Sequence, residues 1–239
     1  MSNQFKSLLF AAVLCLVCSI VLTAAATGLQ ALQQQNMLHD KHRNILKSVS
    51  LIDPEGRYDR AAVEKLYDEF IQAVWVTPEG EIVAEGDRGP QAYPIYLYTR
   101  EGAVQAYIVP IDSRGLWGRI LGYLAIESDG STISGFTVYQ HSETPGLGGE
   151  IEKRWFQKNF VGKRIVDRDG NFVSVQIAKG DVEARVPEPQ RPHYVDGISG
   201  ATLTGQYLSA GLREVLHKYE PVSIRFRNNQ IQSVPDGNS

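Results

Sequence analysis

Cysteine is nearly absent from this sequence, which has 2 in 239 residues, Cys15 and Cys18, both within an apolar segment near the N-terminus. The chain after this pair therefore has no thiol for a disulfide, a cysteine-ligated zinc ion or an iron–sulfur cluster. The pair has the spacing CxxC, but a redox or metal pair requires polar or electropositive surroundings, which this stretch does not supply. We interpret both cysteines as small apolar residues of a membrane helix. Neither follows a small residue of the kind that lipoprotein processing needs, so a lipid anchor is not expected.

Runs of positive charge are also lacking. Lys and Arg total 24 against 27 Asp and Glu, for a formal net charge of -3, and no basic run is interleaved with aromatic residues. Nucleic acid is therefore not an expected partner. The histidines show no metal-ligand spacing that a second motif supports, so we predict neither a metal site nor a catalytic histidine; they are His39, His42, His141, His193 and His217.

A long uncharged segment begins the chain. Residues 8–26 carry no charge over roughly 19 positions, close to the ~20 that span the hydrocarbon core of a membrane as a helix. A cleaved signal peptide is the alternative, because Lys6 precedes the segment and residues 24–26, AAA, offer a cleavage site. The segment is longer than the roughly 7–15 residues of a signal-peptide core, which favours an uncleaved anchor. In both cases the rest of the chain is expected outside the cytoplasm.

Beyond the anchor, the spacing of apolar residues predicts an α+β fold. Helical spacing covers residues 30–50 and 60–71. Short β segments separated by turn residues predict the successive hairpins of an antiparallel sheet at residues 95–98, 104–109, 121–126 and 133–139. Later segments predict helical turns over 150–160, a strand over 172–177, an extended proline-rich loop over 184–192, and a helix over 204–218.

The sharpest local signal is the segment DGISGAT, residues 196–202, directly before the last predicted helix. Gly197 and Gly200 allow backbone geometry and a close approach that a side chain would prevent. The amides and the positive dipole end of the following helix suit a dianionic phosphate, so Thr202 lies where a phosphate would bind. On the residues alone, a helix-capping turn with Ser or Thr as the cap remains open.

A second glycine-rich segment, ETPGLGGE, occupies residues 143–150. Its proline and glycines shape a tight loop whose backbone can approach a flat ligand; they are Pro145, Gly146, Gly148 and Gly149. Leu147 offers an apolar contact to such a ligand, and Glu143 and Thr144 add polar contacts. On the residues alone, a glycine-rich connector between a strand and a helix is the simpler interpretation.

In the same order, these two segments resemble the FMN-binding domain that the C subunit of the sodium-translocating NADH:quinone reductase shares with the G subunit of the Rnf complex. The segment SRGLWG, residues 113–118, resembles the quinone reductase protein rather than the Rnf protein. Within it, Arg114 and Trp117 are candidates to line a flavin pocket or a partner surface. Lys163 closes a further stretch, WFQKNFVGK, that is similar to the family. A lysine near a flavin could stabilise its reduced anionic ring, and a solvated lysine at a helix end is the alternative.

The resemblance implies that the phosphate of FMN is esterified to Thr202 rather than to Ser199 or Thr204. The other cofactor-binding residues that it implies come from the two glycine-rich segments and the WFQKNFVGK stretch: Asp196, Ser199, Gly200, Ala201, Glu143, Thr144, Gly146, Leu147, Gly148 and Lys163. A separate, metal-dependent flavin transferase would attach the FMN. No catalytic residue and no metal ligand is expected in this chain.

The resemblance further implies an electron-transfer subunit of an NADH:ubiquinone reductase, coupled to sodium export and inactive without its membrane and peripheral partner subunits. The chain would be a single-pass protein of the bacterial inner membrane with a periplasmic domain. We expect an anchor at residues 1–30, a helical part at 31–90, the FMN-binding domain at 91–225 and a polar tail at 226–239. The alternatives are the Rnf-type G subunit and an anchored, non-redox ligand-binding module in which DGISGAT is only a helix-capping turn.

Overall fold

The computed structural model describes residues 3–231 and divides into two compact units between Asp40 and Lys41. Helix α1, Asn3–Ser48, begins in the first unit and ends in the second. Its N-terminal part contains the predicted anchor and is long and apolar enough to cross a membrane, a test that a signal sequence also meets. The predicted helix over residues 30–50 is the C-terminal part of this same helix.

Helix α2, Arg60–Phe70, starts at a capped turn and leads directly into the sheet. The Ala62 amide donates a hydrogen bond to the Asp59 side chain at 2.7 Å, which satisfies one of the donors that a helix start leaves free. Val63 is fully buried and fixes the inner face of the helix. At Ile71 the backbone becomes extended and the first strand begins.

Six strands form one antiparallel sheet in the order β2-β1-β3-β4-β5-β6. Their bounds are β1 Ile71–Val76, β2 Ile82–Val83, β3 Tyr93–Arg100, β4 Ala103–Arg114, β5 Arg119–Glu127 and β6 Ile133–Gln140. The four predicted strands are confirmed as β3 to β6, each longer than predicted. Strands β1 and β2, which form one end of the sheet, were not predicted. The predicted α+β class, an antiparallel sheet with flanking helices, is confirmed.

The chain after β6 runs through short turns. The helical stretch predicted over residues 150–160 consists of a 3-10 turn, Gly148–Glu152, helix α3, Arg154–Gln157, and a 3-10 turn, Lys158–Phe160. The strand predicted over 172–177 is wrong for most of its length, because only β7, Gln176–Ile177, forms a strand. Ser174 adopts a left-handed φ of 68°, which breaks the extended alternation that the sequence suggested.

The extended loop predicted over residues 184–192 is also wrong. Helix α4, Val182–Arg185, and a 3-10 turn, Glu188–His193, occupy this region. The amides of the first turn of α4 donate to the Asp181 side chain, and Pro189 lies in the first turn of the 3-10 segment, where the fixed φ of proline suits a helix start. Strand β8, Tyr194–Val195, follows and pairs in parallel with β7.

Helix α5, Thr202–Arg227, completes the described fold. The helix predicted over residues 204–218 is confirmed, but its predicted end is wrong because the helix continues through Pro221. Phe226 is 1% exposed and stacks on Tyr107 with ring centroids 4.4 Å apart, so core packing extends the helix. A polar tail can therefore begin no earlier than Asn228, and residues 232–239 lie outside the described part of the chain.

Side chains of the sheet alternate between two hydrophobic cores. In β4, Tyr107 and Val109 point into the core shared with α5, whereas Ile108 points into the core shared with α2 and the end of α1. This period of two is expected for a strand that is buried on both faces. The first core also anchors α5 through Leu208, so it fixes the helix start where the predicted phosphate site lies.

A close approach between α5 and β4 gives a testable prediction. A Cβ added at Gly211 would lie 2.0 Å from Ser113 Oγ and 2.4 Å from Ser113 Cβ. Because this serine side chain is short and buried, the helix or the strand must shift to admit the methyl group. We expect Gly211→Ala to lower the free energy of unfolding by about 2 kcal/mol, since overpacking outweighs the gain in helix propensity.

Denaturant unfolding of the detergent-solubilised chain, followed by circular dichroism, measures this change. Gly86→Ala is the control, because within residues 3–231 no heavy atom beyond its chain neighbours lies within 4 Å of a Cβ built there. It should change stability by less than about 0.5 kcal/mol. Adding Ser113→Gly to Gly211→Ala removes the colliding side chain and should recover part of the loss. Equal unfolding midpoints for Gly211→Ala and wild type would contradict the tight contact.

Candidate cofactor cleft

Three predicted segments meet at one cleft of about 340 Å³. The turn between β4 and β5, the loop after β6 and the start of α5 each contribute part of its wall. In chain order the lining residues are Leu116, Trp117, Glu143, Thr144, Leu147, Gly148, Gly200, Ala201, Thr202, Leu203 and Thr204. The fold therefore brings together segments that lie far apart in the sequence.

Exposed apolar side chains surround this cleft. Trp117 is 69% exposed at the tip of the β4–β5 turn, and Leu116 beside it is 40% exposed. Leu147 and Leu203, from the other two segments, are 43% and 51% exposed. Single exposed apolar residues are ordinary, but a group that lines one concave surface marks a binding site.

The Glu143 carboxyl group holds the three segments together. It is only 4% exposed. The Trp117 amide donates to its Oε1 at 3.0 Å, and the Thr204 hydroxyl donates to its Oε2 at 2.5 Å. A Cβ at Gly115 would lie 2.5 Å from Oε1, and one at Gly148 would lie 2.7 Å from Oε2, so both glycines leave room for the carboxyl group. Glu143 therefore fixes the turn, the loop and the helix start relative to one another.

Two glycines shape the wall around Leu147. Gly146 has a φ of 74° and Gly200 a φ of 75°, a region that favours glycine. A Cβ at Gly200 would also lie 2.8 Å from Leu147 Cδ2. The amides of Leu147 and Gly149 both donate to the Thr144 carbonyl, at 3.1 and 2.9 Å. This loop thereby presents the leucine side chain to the cleft.

Thr202 is the first residue of α5, and its exposed side chain lines the cleft. Ala201, directly before it, makes no side-chain capping hydrogen bond to the helix. The first amides of a helix have no partner within the helix and carry the positive end of its dipole. An anionic group on the threonine oxygen would therefore be stabilised by these amides, which is the arrangement that a phosphate requires.

The segment before Thr202 is braced from behind by its neighbours. The Gly197 amide donates to the Gly180 carbonyl at 2.8 Å, and the Val182 amide donates to Asp196 Oδ1 at 2.7 Å. The pairing of β8 with β7 adds a further connection directly before this segment. The structure thus gives Asp196 a bracing contact.

Some of the residues singled out in the sequence lie outside the lining of the cleft: Asp196, Ser199, Gly146, Lys163 and Arg114. Lys163 Nζ donates to the Arg191 carbonyl at 3.2 Å. The Arg114 guanidinium lies over the Tyr207 ring, 5.5 Å from its centroid. Ser199 is exposed in the segment that leads to Thr202.

Partial burial lowers the pKa of Lys163, against the opposing effect of the Asp196 charge. The folded chain therefore holds this proton less tightly than the unfolded chain, whose lysine has the ordinary pKa of 10.5. The contribution of Lys163 to stability accordingly rises as pH increases through its folded-state pKa, and it stops changing above 10.5. We expect Lys163→Gln to remove this rise.

The measurement is the difference in the free energy of unfolding between wild type and Lys163→Gln, followed from neutral to alkaline pH. This difference should grow with pH in favour of wild type. Lys158→Gln, at an exposed lysine of the neighbouring 3-10 turn, is the matched control. Parallel pH profiles for wild type and Lys163→Gln would contradict the burial effect.

Leu116 and Leu203 line the cleft but were not predicted from the sequence. Thr204 was named only as a residue that does not carry the FMN ester, and its place in the lining was not predicted. The two leucines are next to motif residues, Trp117 and Thr202, and an apolar residue in an exposed turn is a usable signal. The hydrogen bond of Thr204 to Glu143 has no such signal, because it joins residues that only the fold brings together.

The lining fits flavin mononucleotide. Trp117 and Leu147 offer apolar surface from two different segments to a flat tricyclic ring. The hydroxyl of Thr202 and the helix start suit the phosphate, and the exposed Thr144 adds a polar group to the lining. Among residues 3–231, no cluster of three or more His, Cys, Asp or Glu side chains could hold a metal ion.

These features define a flavin-binding domain, and the chain matches the family model of the FMN-binding domain over residues 115–217. It belongs to the NqrC family, the C subunit of the Na(+)-translocating NADH-quinone reductase. The chain is 36% identical over 228 residues to the family member from Yersinia pestis, with 83% of each chain covered. It is 34% identical over 250 residues to the member from Pseudomonas aeruginosa, with 91% of this chain and 92% of the relative covered.

Solved structures agree with this assignment. The crystal structure of the family member from Parabacteroides distasonis is 34% identical, superposes with a TM-score of 0.69, and is matched over 82% of this chain and 96% of its own. The Shewanella oneidensis NqrC structure, 23% identical with a TM-score of 0.62, supports the fold. The predicted family and fold class are confirmed.

Proposed function

We propose that this chain is the electron-transfer subunit of a sodium-translocating NADH:ubiquinone reductase and carries FMN as a phosphoester on Thr202. The observation that carries the proposal is the position of Thr202, which lies at an uncapped helix start and in the same cleft as Trp117 and Leu147. The relatives named as the C subunit of this reductase support the same assignment. FMN accepts one or two electrons, so the chemistry of the bound site belongs to the cofactor.

Each residue of the cleft has a part in holding the cofactor. Thr202 provides the ester oxygen, and the backbone at Gly200 and Ala201 approaches the phosphate without a large side chain. Trp117 and Leu147 contact the ring. The remaining lining residues of the loop after β6 complete the wall; they are Glu143, Thr144 and Gly148. Gly146, with its φ of 74°, shapes the loop that carries Leu147. These contacts orient the ring and exclude water from part of its surface.

Attachment requires a second protein. FMN transfer from FAD to the threonine hydroxyl breaks the bond between the two phosphates of FAD, forms the phosphoester, releases AMP and passes the hydroxyl proton to a base. We propose that a separate, metal-dependent flavin transferase supplies the metal and the base. Exposed Ser199 and braced Asp196 would present the DGISGAT segment to it, whereas Lys163, held at the Arg191 carbonyl, would act on the flavin only by its charge.

We place the chain in the bacterial inner membrane as a single-pass protein with its domain in the periplasm. The uncharged segment 8–26 of α1 supports the anchor, and the membership in a multi-subunit reductase family supports membrane and peripheral partner subunits. The flavin would relay electrons from NADH towards ubiquinone, a passage coupled in the complex to sodium export. Alone, the chain would not oxidise NADH.

Intact mass and peptide mapping of the chain, produced with and without an active flavin transferase, test the proposal. We expect the mass of one FMN ester on the peptide that contains Thr202, only when the transferase is present. An unmodified chain beside an active transferase would contradict the flavoprotein assignment. It would favour a non-redox ligand-binding module instead.

A further inference from the structure

A second depression lies along α5 and is larger than the cleft, at about 560 Å³ against about 340 Å³. We call it the α5 groove. Buried Ile177 and half-buried Tyr194 are among its lining residues, and the Tyr194 hydroxyl donates a hydrogen bond to Gln176 Oε1 at 3.2 Å. Exposed Lys179 and Arg185 also line it. A lining that combines apolar residues with a few polar groups is typical of a ligand site.

The start of α5 connects the cleft and the groove. Thr202 lines the cleft, whereas Gln206 and Ser209 line the groove. These three positions follow the i, i+4, i+7 spacing, so they lie on one face of the helix. The rise from Thr202 to Gln206 is about 6 Å, which is shorter than the extended ribityl phosphate arm of FMN. The arm of a ring attached at Thr202 is therefore long enough to span the distance along the helix from the cleft to the part of the groove at Gln206.

The two sites differ in charge. Among the described residues, the lining of the cleft includes Glu143 and no lysine or arginine. The described lining of the groove has the reverse composition, with Lys179 and Arg185 and no aspartate or glutamate. Within the described part of the chain, neither cation has a carboxylate oxygen within 4.0 Å.

This contrast matters because the charge of a flavin changes with its redox state. The oxidised ring is neutral. When it takes up two electrons from a reductant and one proton from water, it becomes a reduced ring with one negative charge. An apolar cleft that contains a carboxylate disfavours that charge, whereas two nearby cations favour it. The cleft therefore suits the oxidised ring better than the reduced one.

We propose that the α5 groove is a second binding site for the isoalloxazine ring of the FMN ester on Thr202, and that it takes the ring in its reduced, anionic form. Lys179 and Arg185 hold the charge, and Tyr194 contacts the ring. The proposal rests on the covalent attachment proposed above. It gives the tethered ring two positions, one beside Trp117 and Leu147 and the other beside the two cations.

Lysine footprinting tests occupancy of the groove directly. The flavinylated full-length protein is treated with N-hydroxysuccinimide acetate, once oxidised and once after anaerobic photoreduction, and acetylation is followed by peptide mass mapping. We expect Lys179 to react several-fold more slowly in the reduced protein. Lys158, which lines neither site, should react equally in both states. Thr202→Ala carries no ring, so its Lys179 should show no dependence on the reduction step.

The midpoint potential of the flavin provides a second measurement. The double variant Lys179→Gln/Arg185→Gln removes both charges and should weaken the binding of the reduced ring, relative to the oxidised ring, by about tenfold. For a two-electron couple this is a shift of the midpoint potential of about 30 mV to more negative values. Lys158→Gln/Arg168→Gln removes the same number of exposed charges from outside both sites and should shift the potential by much less.

The outcomes separate this proposal from the function on which it rests. A wild-type Thr202 peptide without FMN overturns both. FMN on that peptide, with Lys179 acetylated at equal rates in the two redox states, overturns the groove alone. A shift in potential that is the same for the two double variants also overturns the groove alone, because it reflects only the net charge of the protein.

Discussion

Replacing Thr202 by alanine should abolish covalent FMN attachment and leave the fold intact. The substitution removes the hydroxyl oxygen that we propose as the ester oxygen, and no other atom of the side chain can replace it. The side chain is exposed at the first position of α5, so we expect a change in the free energy of unfolding of less than about 0.5 kcal/mol. Intact mass after co-production with a flavin transferase should show no FMN on the variant, against near-complete modification of wild type.

Two hydroxyl groups of the same region serve as controls. Ser199 is exposed in the same segment, and Thr204 is buried against Glu143, so neither Ser199→Ala nor Thr204→Ser removes the proposed acceptor. Both variants should still carry FMN on the Thr202 peptide. If Thr202→Ala keeps the added mass while Ser199→Ala loses it, the proposed attachment site is wrong by three residues.

Replacing Glu143 by alanine should have the largest effect on stability of any change in the cleft. The truncation removes the acceptor of the buried Thr204 hydroxyl and of the part-buried Trp117 amide, and it opens a cavity between three segments. Each unsatisfied buried donor costs roughly 1–3 kcal/mol, so we expect a loss of about 3 kcal/mol in the free energy of unfolding. Denaturant unfolding of detergent-solubilised wild type and variant measures it.

The same variant should loosen the flavin site. Trp117 is at the tip of a turn that Glu143 holds through the backbone, so the flavinylated variant should show lower flavin fluorescence anisotropy than wild type. Glu150→Ala is the matched control: this glutamate belongs to the same loop, is half-buried and accepts from Trp155 Nε1 at 2.8 Å. It should cost less than about 1 kcal/mol. A Glu143→Ala variant as stable as the control would show that the carboxyl group does not join the segments.

The sheet was largely predictable because its signal is local. Strands β3 to β6 are short, largely apolar segments rich in β-branched and aromatic residues, separated by short turns that contain glycine. A strand followed by a tight turn needs no distant partner to be recognised. Strand β1 follows α2 with no turn residue between them, so its start at Ile71 is set by pairing with β3 rather than by composition. Ser174 shows the same limit, since its left-handed backbone interrupts a sequence that alternates like a strand.

The sequence motifs of the site were predictable, whereas the hydrogen bonds that join its segments were not. The segments around Thr202 and Leu147 resemble a family pattern, so their place near one another was expected. The hydrogen bonds of Glu143 to Trp117 and Thr204 depend on how α5 packs against β4, which is a property of the whole core. The extension of α5 to Arg227 has a similar origin, because stacking of Phe226 on Tyr107 offsets the helix-breaking tendency of Pro221.

The bracing of the DGISGAT segment has a consequence for the order of events in maturation. Its conformation depends on the Gly180 carbonyl, the Val182 amide and a parallel strand pair, and these contacts exist only after the domain has folded. A transferase that selects this shape would modify finished domains and pass over unfolded chains. The flavin absorbance of a preparation would then report the fraction of correctly folded molecules, because attachment of the flavin would follow folding.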